Sequence, residues 1–402
     1  MKYQDMVDHH IGHGYWSSAN DQRYGYILCP EPFFLERTLH EQLVAMGKTV
    51  ATYVRGCKDV FMAAEQLAGR DRSASWVYSM CKQAAGGLPV MHDGRDIPIT
   101  KVDCMIDQQG NIQIAEVDAY NPRGIPFALF LRDTFNDLQN PLNKLSDTLV
   151  AEAQGKDLLW VHAHRERYYQ AIFTQMKRIM AGYGVTVSVA DATSATVISD
   201  QKIVMIPWGM DNSMELSVKA QLVAWYEKSP QRFIYPLLPW LGSKGLLAFA
   251  SNGAGNQLIE AFINDHAPEL KHIREFVPSS VLIGKQFACA EQWLSSREAF
   301  VLKKHVSSGL KGVWVVDKAN PEFATAKTLH RTAYCLQDYV QQKTFSLPYF
   351  ADSSTVKTDD WYVRLTAYIA ADGTLLDAEV TGRRSPDVHG ALDCIQLPCV
   401  LR

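Results

Sequence analysis

Apolar residues between Glu31 and Gly56 recur at spacings of three and four (FFLERTLHEQLVAMGKTVATYVRG), a period that predicts a helix stopping at Gly56. The same spacing predicts a second helix over 58–68, closed by Gly69, and a third over 75–85, closed by Gly86-Gly87. Residues 1–28 are polar, and the histidines of DHHIGHG (His9, His10, His13) read as a terminal loop, although side chains of that kind can bind metal. Near Lys101 the period drops to two. Residues 101–107 and 112–118 read as strands joined by the turn Gln108-Gln109-Gly110-Asn111. Tyr120-Asn121-Pro122-Arg123-Gly124 is a turn signal that opens an apolar helix over 126–136. A polar passage over 140–156 leads to alternating elements: strands at 158–163, 185–190 and 202–209, helices at 165–181 and 216–228, and a short strand at 232–235. Alternation of that kind predicts a parallel α/β layer. SNGAGNQ (251–257) reads as a loop before a helix over 257–264. The last hundred residues turn to strands: two over 298–317 around a Ser/Gly loop, one at 334–342, and a hairpin over 361–384 turning at Ala371-Asp372-Gly373. A helix is expected between them at 321–331.

A chain of 402 residues exceeds the ~250–300 at which single cores stop growing, so several subdomains are expected: 1–150, 151–290 and 291–402. The net charge of −3 makes no case for nucleic acid or a membrane surface as partner, and no apolar run is long enough to span a bilayer. The first residues lack the apolar core of a signal peptide, and the eight scattered cysteines form no CxxC pair. The expectation is a cytoplasmic chain with reduced, buried, inert thiols.

Chemistry enters at the first hairpin. If its four-residue turn sets the register, Asp103 faces Glu116, Lys101 faces Asp118, Met105 faces Ile114 and Asp107 faces Ile112. Asp103, Glu116 and Asp118 then share one face, and such convergence of like charge invites a divalent cation of the magnesium type. Taken alone, the hairpin is equally readable as a solvated face with incidental acids. Lys303 on a strand beside the loop Ser307-Ser308-Gly309-Leu310-Lys311-Gly312 is a phosphate-handling layout, because loop amides and an ammonium both suit an anion. No GxGxxG follows a first strand, so a dinucleotide fingerprint is absent.

Taken together, these stretches resemble the ATP-grasp superfamily of ligases, in circularly permuted order. VDCMIDQQGNIQIAEVDAYNPRG is similar to that family's magnesium motif, with Asp103, Glu116 and Asp118 at the ligand positions and Asp118 standing for the usual Asn. FVLKKHVSSGLKG resembles the strand lysine and glycine loop, carried by Lys303, Ser307, Ser308, Gly309 and Gly312. LQDYV resembles the hinge strand lining the adenine, through Gln337, Tyr339 and Val340. The 361–384 hairpin resembles the strand pair offering catalytic arginines, here Arg364 and Arg383. Carboxylates before the lysine is the order of eukaryotic glutathione synthetases, and Lys101, Asn121 and Arg123 would then face substrate.

The resemblance implies an α/β fold of the ATP-grasp type with a central α/β layer, using ATP and Mg2+. The implied activity is an ADP-forming ligase that joins a small-molecule carboxylate, an amino acid or small peptide, to an amine. A phosphotransferase on the same scaffold and a nucleotide-binding regulatory protein without catalysis are the alternatives; a homodimer is compatible with all three. Two departures stand out. The glycine loop has Ser307 where permuted relatives carry an acidic metal ligand. Asn256-Gln257 stands where a second ATP lysine is expected; either another residue substitutes, with Glu379 and Lys285 as candidates, or nucleotide binding is altered. The arrangement also predicts that the two ends of the chain build one nucleotide site, with 157–290 inserted between them.

Overall fold

A computed structural model of the chain describes residues 1–14, 16, 26–85, 93–120, 124–135, 142, 144–162, 167–191, 202–205, 216–283, 290–305, 312–317, 334–388, 390 and 393–402. The expected helix at 321–331 and the site candidates Asn121, Arg123, Lys285, Ser307, Ser308 and Gly309 lie outside these residues.

The N-terminal stretch expected as loop is a helix, α1 (Tyr3–Gly12), because Met6, Val7 and His10 form a small buried face at helical spacing. After β1 (Phe33–Leu35), α2 (Arg37–Leu67) runs unbroken through Gly56. Gly56 is a place of close approach and no stop: a Cβ there would meet the Leu270 side chain at 3.0 Å. α3 (Arg72–Ala84) starts where the Asp71 carboxylate accepts the Ala74 amide. The hairpin follows as β2 (Ile99–Ile106) and β3 (Ile112–Asp118), then α4 (Ile125–Thr134) and α5 (Leu145–Ala153). α5 occupies the passage expected as a linker; Leu145 and Leu149, one turn apart, bury its apolar side.

The alternating region supplies β4 (Leu158–His162), α6 (Arg167–Gly182), β5 (Val187–Asp191), β6 (Lys202–Met205) and α7 (Leu216–Lys228). β5, β4 and β6 form the expected parallel layer, in that order. The strand expected at 232–235 does not form: a short 3-10 turn, Pro230–Arg232, leads Phe233, Ile234 and Tyr235 into the core as irregular chain. α8 (Lys244–Ser251) and α9 (Gln257–His266) come next, then β7 (Ser280–Leu282), α10 (Ala290–Ser295), β8 (Ala299–Lys304), β9 (Val313–Asp317) and β10 (Tyr334–Asp338). β11 (Thr344–Phe350), β12 (Val356–Ala370), β13 (Leu375–Arg383) and β14 (Ile395–Leu401) complete the chain. The sequence pattern had shown neither β11 nor β14.

Among the described residues, the two ends of the chain share one mixed sheet, ordered β1-β14-β13-β12-β2-β3, with β11 on the outer half of β12. A second sheet is ordered β7-β10-β8-β9. Alternation along β2 gives the large sheet two characters. Val102, Cys104 and Ile106 are buried apolar residues, and the Cys104 sulfur lies 3.5 Å from that of Met46 on α2. Lys101, Asp103 and Met105 point to the opposite face. The seven described cysteines are buried and unbridged. Among the described residues no helix is long and apolar enough to cross a membrane.

Candidate functional site

Strand register builds the site. Glu116 lies opposite Asp103, Asp103 opposite Thr366, and Thr366 opposite Glu379, so one polar row crosses four strands. The next row is Asp118, Lys101, Tyr368 and Asp377. The expected pairs Asp103–Glu116 and Lys101–Asp118 form. Beyond them the register slips: Met105 faces Gln113 and Ile106 faces Ile112, because a bulge at Ala115 inserts one residue into β3.

That bulge matters for the far end of the chain. Lys303, buried on β8, donates from Nζ to the Ala115 carbonyl at 3.0 Å and to the Gln337 amide oxygen. The strand lysine and the carboxylate strand, 188 positions apart, therefore meet. Gln337 is fixed in turn by donating to Ser280 Oγ at 3.1 Å.

Like charges directly opposite on a sheet repel, and the repulsion is answered here by cations of the chain itself. Lys101 Nζ donates to Asp103 Oδ2 at 2.8 Å, and Thr366 Oγ1 donates to Asp103 Oδ1 at 2.7 Å. Lys244 Nζ donates to Glu116 Oε1 at 2.9 Å. Arg364 Nε stands 3.9 Å from Asp103 Oδ1, while its Nη2 donates to Thr381 Oγ1 at 3.2 Å.

Lys244 was missed in the sequence. It is the first residue of α8, behind Ser243, whose hydroxyl accepts the Gly245 amide. A cation in a helix's first turn opposes the helix dipole, and that misfit was the available signal. Gly245 lets α8 approach the end of β8, since a Cβ there would overlap Met80 and His305. Asn256, where a second lysine was sought, instead caps α9 by accepting the Leu258 and Ile259 amides.

Burial and charge set the protonation states. Burial pushes Asp103 up, but Lys101 and Arg364 outweigh it and hold the carboxyl below its ordinary range. Glu116 is likewise lowered: burial raises it, and Lys244 and Lys101 prevail. Burial pulls Lys303 down from 10.5 to about 8, with Lys244 adding to the fall. Glu379 goes the other way. Burial lifts it from 4.5 to about 8 against the opposing pull of Arg364 and Lys101. Its Oε2 and the Arg364 Nε are buried without a hydrogen-bond partner, while Oε1 accepts the Tyr368 hydroxyl at 3.2 Å.

The remaining candidates scatter. Asp118 is buried beside Gly242 and bears on Lys101. Tyr339 and Val340 are half-buried after β10, and Val340 lines a cleft of about 240 Å3 with Asp107, Gln108, Gln113 and Gln341. Gly312 has φ +92°, in the left-handed region that glycine favours. Arg383 is not drawn into the row; it pairs with Asp387 at 3.0 Å and Asp393 at 2.6 Å.

The donor set fits a magnesium-bound phosphate chain in kind. Asp103, Glu116 and Asp118 are hard oxygen donors, Lys303, Lys244 and Arg364 are cations around them, and two buried polar atoms stand unpaired at the same place.

No family model matches this chain, and no curated protein matches it either. Among solved structures it is similar to a glutathione synthetase-like effector from Globodera pallida in its apo form, with 13% identity and a TM-score of 0.54. The match covers 100% of this chain and 98% of that one. At that identity the likeness is one of fold.

Proposed function

We propose that the chain is an ADP-forming, ATP-dependent carboxylate–amine ligase of the permuted ATP-grasp type. A substrate carboxylate takes the terminal phosphoryl group of ATP, and an amine then attacks the acyl carbon and releases phosphate. The observation that carries this reading is the hydrogen bond from Lys303 to Ala115, next to Glu116. A phosphate lysine from one end of the chain and carboxylates from the other are of use together only where phosphate and metal are handled together.

Phosphoryl transfer asks the protein for position and charge neutralisation more than for a nucleophile. Magnesium, when bound, would supply that neutralisation on the phosphate oxygens, held by Asp103, Glu116 and Asp118. For Lys101 and Lys244 this means exchanging carboxylate contacts for contacts to substrate or phosphate. Lys303 and Lys244 would steady the phosphate chain, and Arg364 would orient the group in transfer. Gln337, Tyr339 and Val340 would line the base. Arg383, with Asn121 and Arg123, would serve the substrate rim. Ser307, Ser308, Gly309 and Gly312 would offer backbone amides and hydroxyls to the phosphates. Amino acids or small peptides are the expected acids.

The test is a screen for ADP and phosphate release with ATP, magnesium and pooled amino acids and polyamines. The proposal expects release that needs both an acid and an amine. Release indifferent to both, or phosphate transferred to a hydroxyl and kept there, would overturn it.

A further inference from the structure

A second cluster lies outside this site, where α1 meets α4 and α6. His9 and His13 stand one helical turn apart, and both face Asp133 near the end of α4. His9 Nε2 is 3.7 Å from Asp133 Oδ2, His13 Nε2 is 4.0 Å from it, and the three ligand atoms all lie within 4.8 Å of one another. We infer that His9, His13 and Asp133 form a binding site for a borderline divalent transition ion of the zinc type, which staples the first helix to α4.

Two observations carry this beyond mere proximity. His13 Nδ1 donates to the His9 carbonyl at 2.6 Å, so in the neutral ring Nε2 keeps its lone pair and aims it at the cluster. His9 Nε2 is buried and has no hydrogen-bond partner. His10, by contrast, spends both ring nitrogens on the Met6 carbonyl and the Tyr26 hydroxyl and is no ligand.

The donor set also discriminates. Two imidazoles and a carboxylate suit zinc-type ions and leave magnesium, which wants oxygen, to the other site. Ligands of tetrahedral zinc at ~2.0–2.1 Å stand roughly 3.4 Å apart, so closing this cluster shortens the two histidine–Asp133 distances by about 0.3 and 0.6 Å and the remaining one by at most about 1.4 Å. Phe130 packs against both rings (centroids at 5.5 and 6.3 Å) and shields one side from water. Asp133 Oδ2 is meanwhile engaged by Arg178, with Gln175 Nε2 at 3.3 Å. Arg178 is 50% exposed and can turn out to solvent, so in this account it occupies the metal's place and competes with it.

The experiment is calorimetric titration of the tag-free, chelator-stripped full chain with zinc in excess magnesium. The expected result is one ion per chain and a raised melting temperature. His9→Gln and His13→Gln should each weaken binding by roughly tenfold or more, and Arg178→Ala should tighten it. Cobalt serves as a second probe that needs no variant: its spectrum should show histidine and carboxylate ligation without thiolate charge transfer. No zinc binding by the wild-type chain, wild-type affinity retained in either histidine variant, or a cobalt–thiolate band would each overturn the assignment.

Discussion

Two groups of buried charge sit on the same face of the large sheet, and they are built to different ends. Arg132 and Asp377 form a closed pair: Arg132 donates to the Asp377 carboxylate and, at 2.8 Å, to the Cys399 carbonyl, with side-chain exposures of 8% and 1%. The second group gathers Asp103, Glu116, Lys101 and Glu379 with Lys244 of α8 and Arg364 of β12, and there Arg364 is 26% and Glu116 32% exposed. The first group binds α4 to the sheet and is almost sealed from solvent. The second reaches solvent through both carboxylate and cation. A charge paired and sealed is structure; charges paired but accessible can exchange partners, which phosphate binding requires.

The largest effect should fall on the closed pair. Arg132→Met leaves Asp377 buried and alone and should cost about 3–5 kcal/mol of stability, while the molecules that remain folded keep their Mg-ATP affinity. Burial, opposed by Arg132, has already lifted Asp377 from 3.8 to about 6. An acid raised in the folded state favours folding at low pH and loses that contribution as pH rises through the folded value, so the variant should be weaker at pH 8 than at pH 5. Urea unfolding at both values measures it. Unchanged stability would show that the two groups do not differ as described.

Glu116→Gln should do the reverse. Turnover should fall by about 10²-fold or more if Glu116 holds magnesium as proposed, because that charge is gone. Stability should fall only about 1–3 kcal/mol, since the amide still accepts from Lys244. A folded variant with near-normal turnover would remove Glu116 from the metal set.

The pH dependence of nucleotide affinity sharpens the open side. Lys303 and Glu379 both titrate near 8 in the folded chain. Above that value Lys303 loses its positive charge and with it an attraction for phosphate, while Glu379 gains a negative charge that repels it. Affinity should therefore drop as pH rises through 8, with proton uptake on binding that calorimetry in two buffers detects. Glu379→Gln should leave only the lysine part, and an affinity flat from pH 7 to 9 would contradict the assignment. The smallest difference expected is between the two arginines. Arg364→Lys, at the row, should lower turnover more than Arg383→Lys, whose guanidinium pairs with Asp387 and Asp393.

Much of the site was legible because strand alternation and turn length together place side chains. Lys101, Asp103, Glu116 and Asp118 were put on one face from the sequence, and they share it. The bulge was not legible: one extra residue at Ala115 leaves no mark in an alternation this short, yet it sets the carbonyl that Lys303 meets. Lys244 escaped because its role depends on α8 packing against β8, a contact between distant segments. Gly56 misled for a related reason. A glycine read as a helix stop was there to let Leu270 approach, and only tertiary packing separates the two. The terminal histidines hid a helix because so few apolar residues mark its buried face.

The central claim is that Lys303 and Glu116 serve one phosphate site. A double-mutant cycle on Mg-ATP affinity, using Lys303→Met, Glu116→Gln and the pair, tests it most directly. Both single changes should weaken binding, and the pair should fall short of their sum by about 1 kcal/mol or more. Strict additivity, or an affinity that neither change alters, would contradict it.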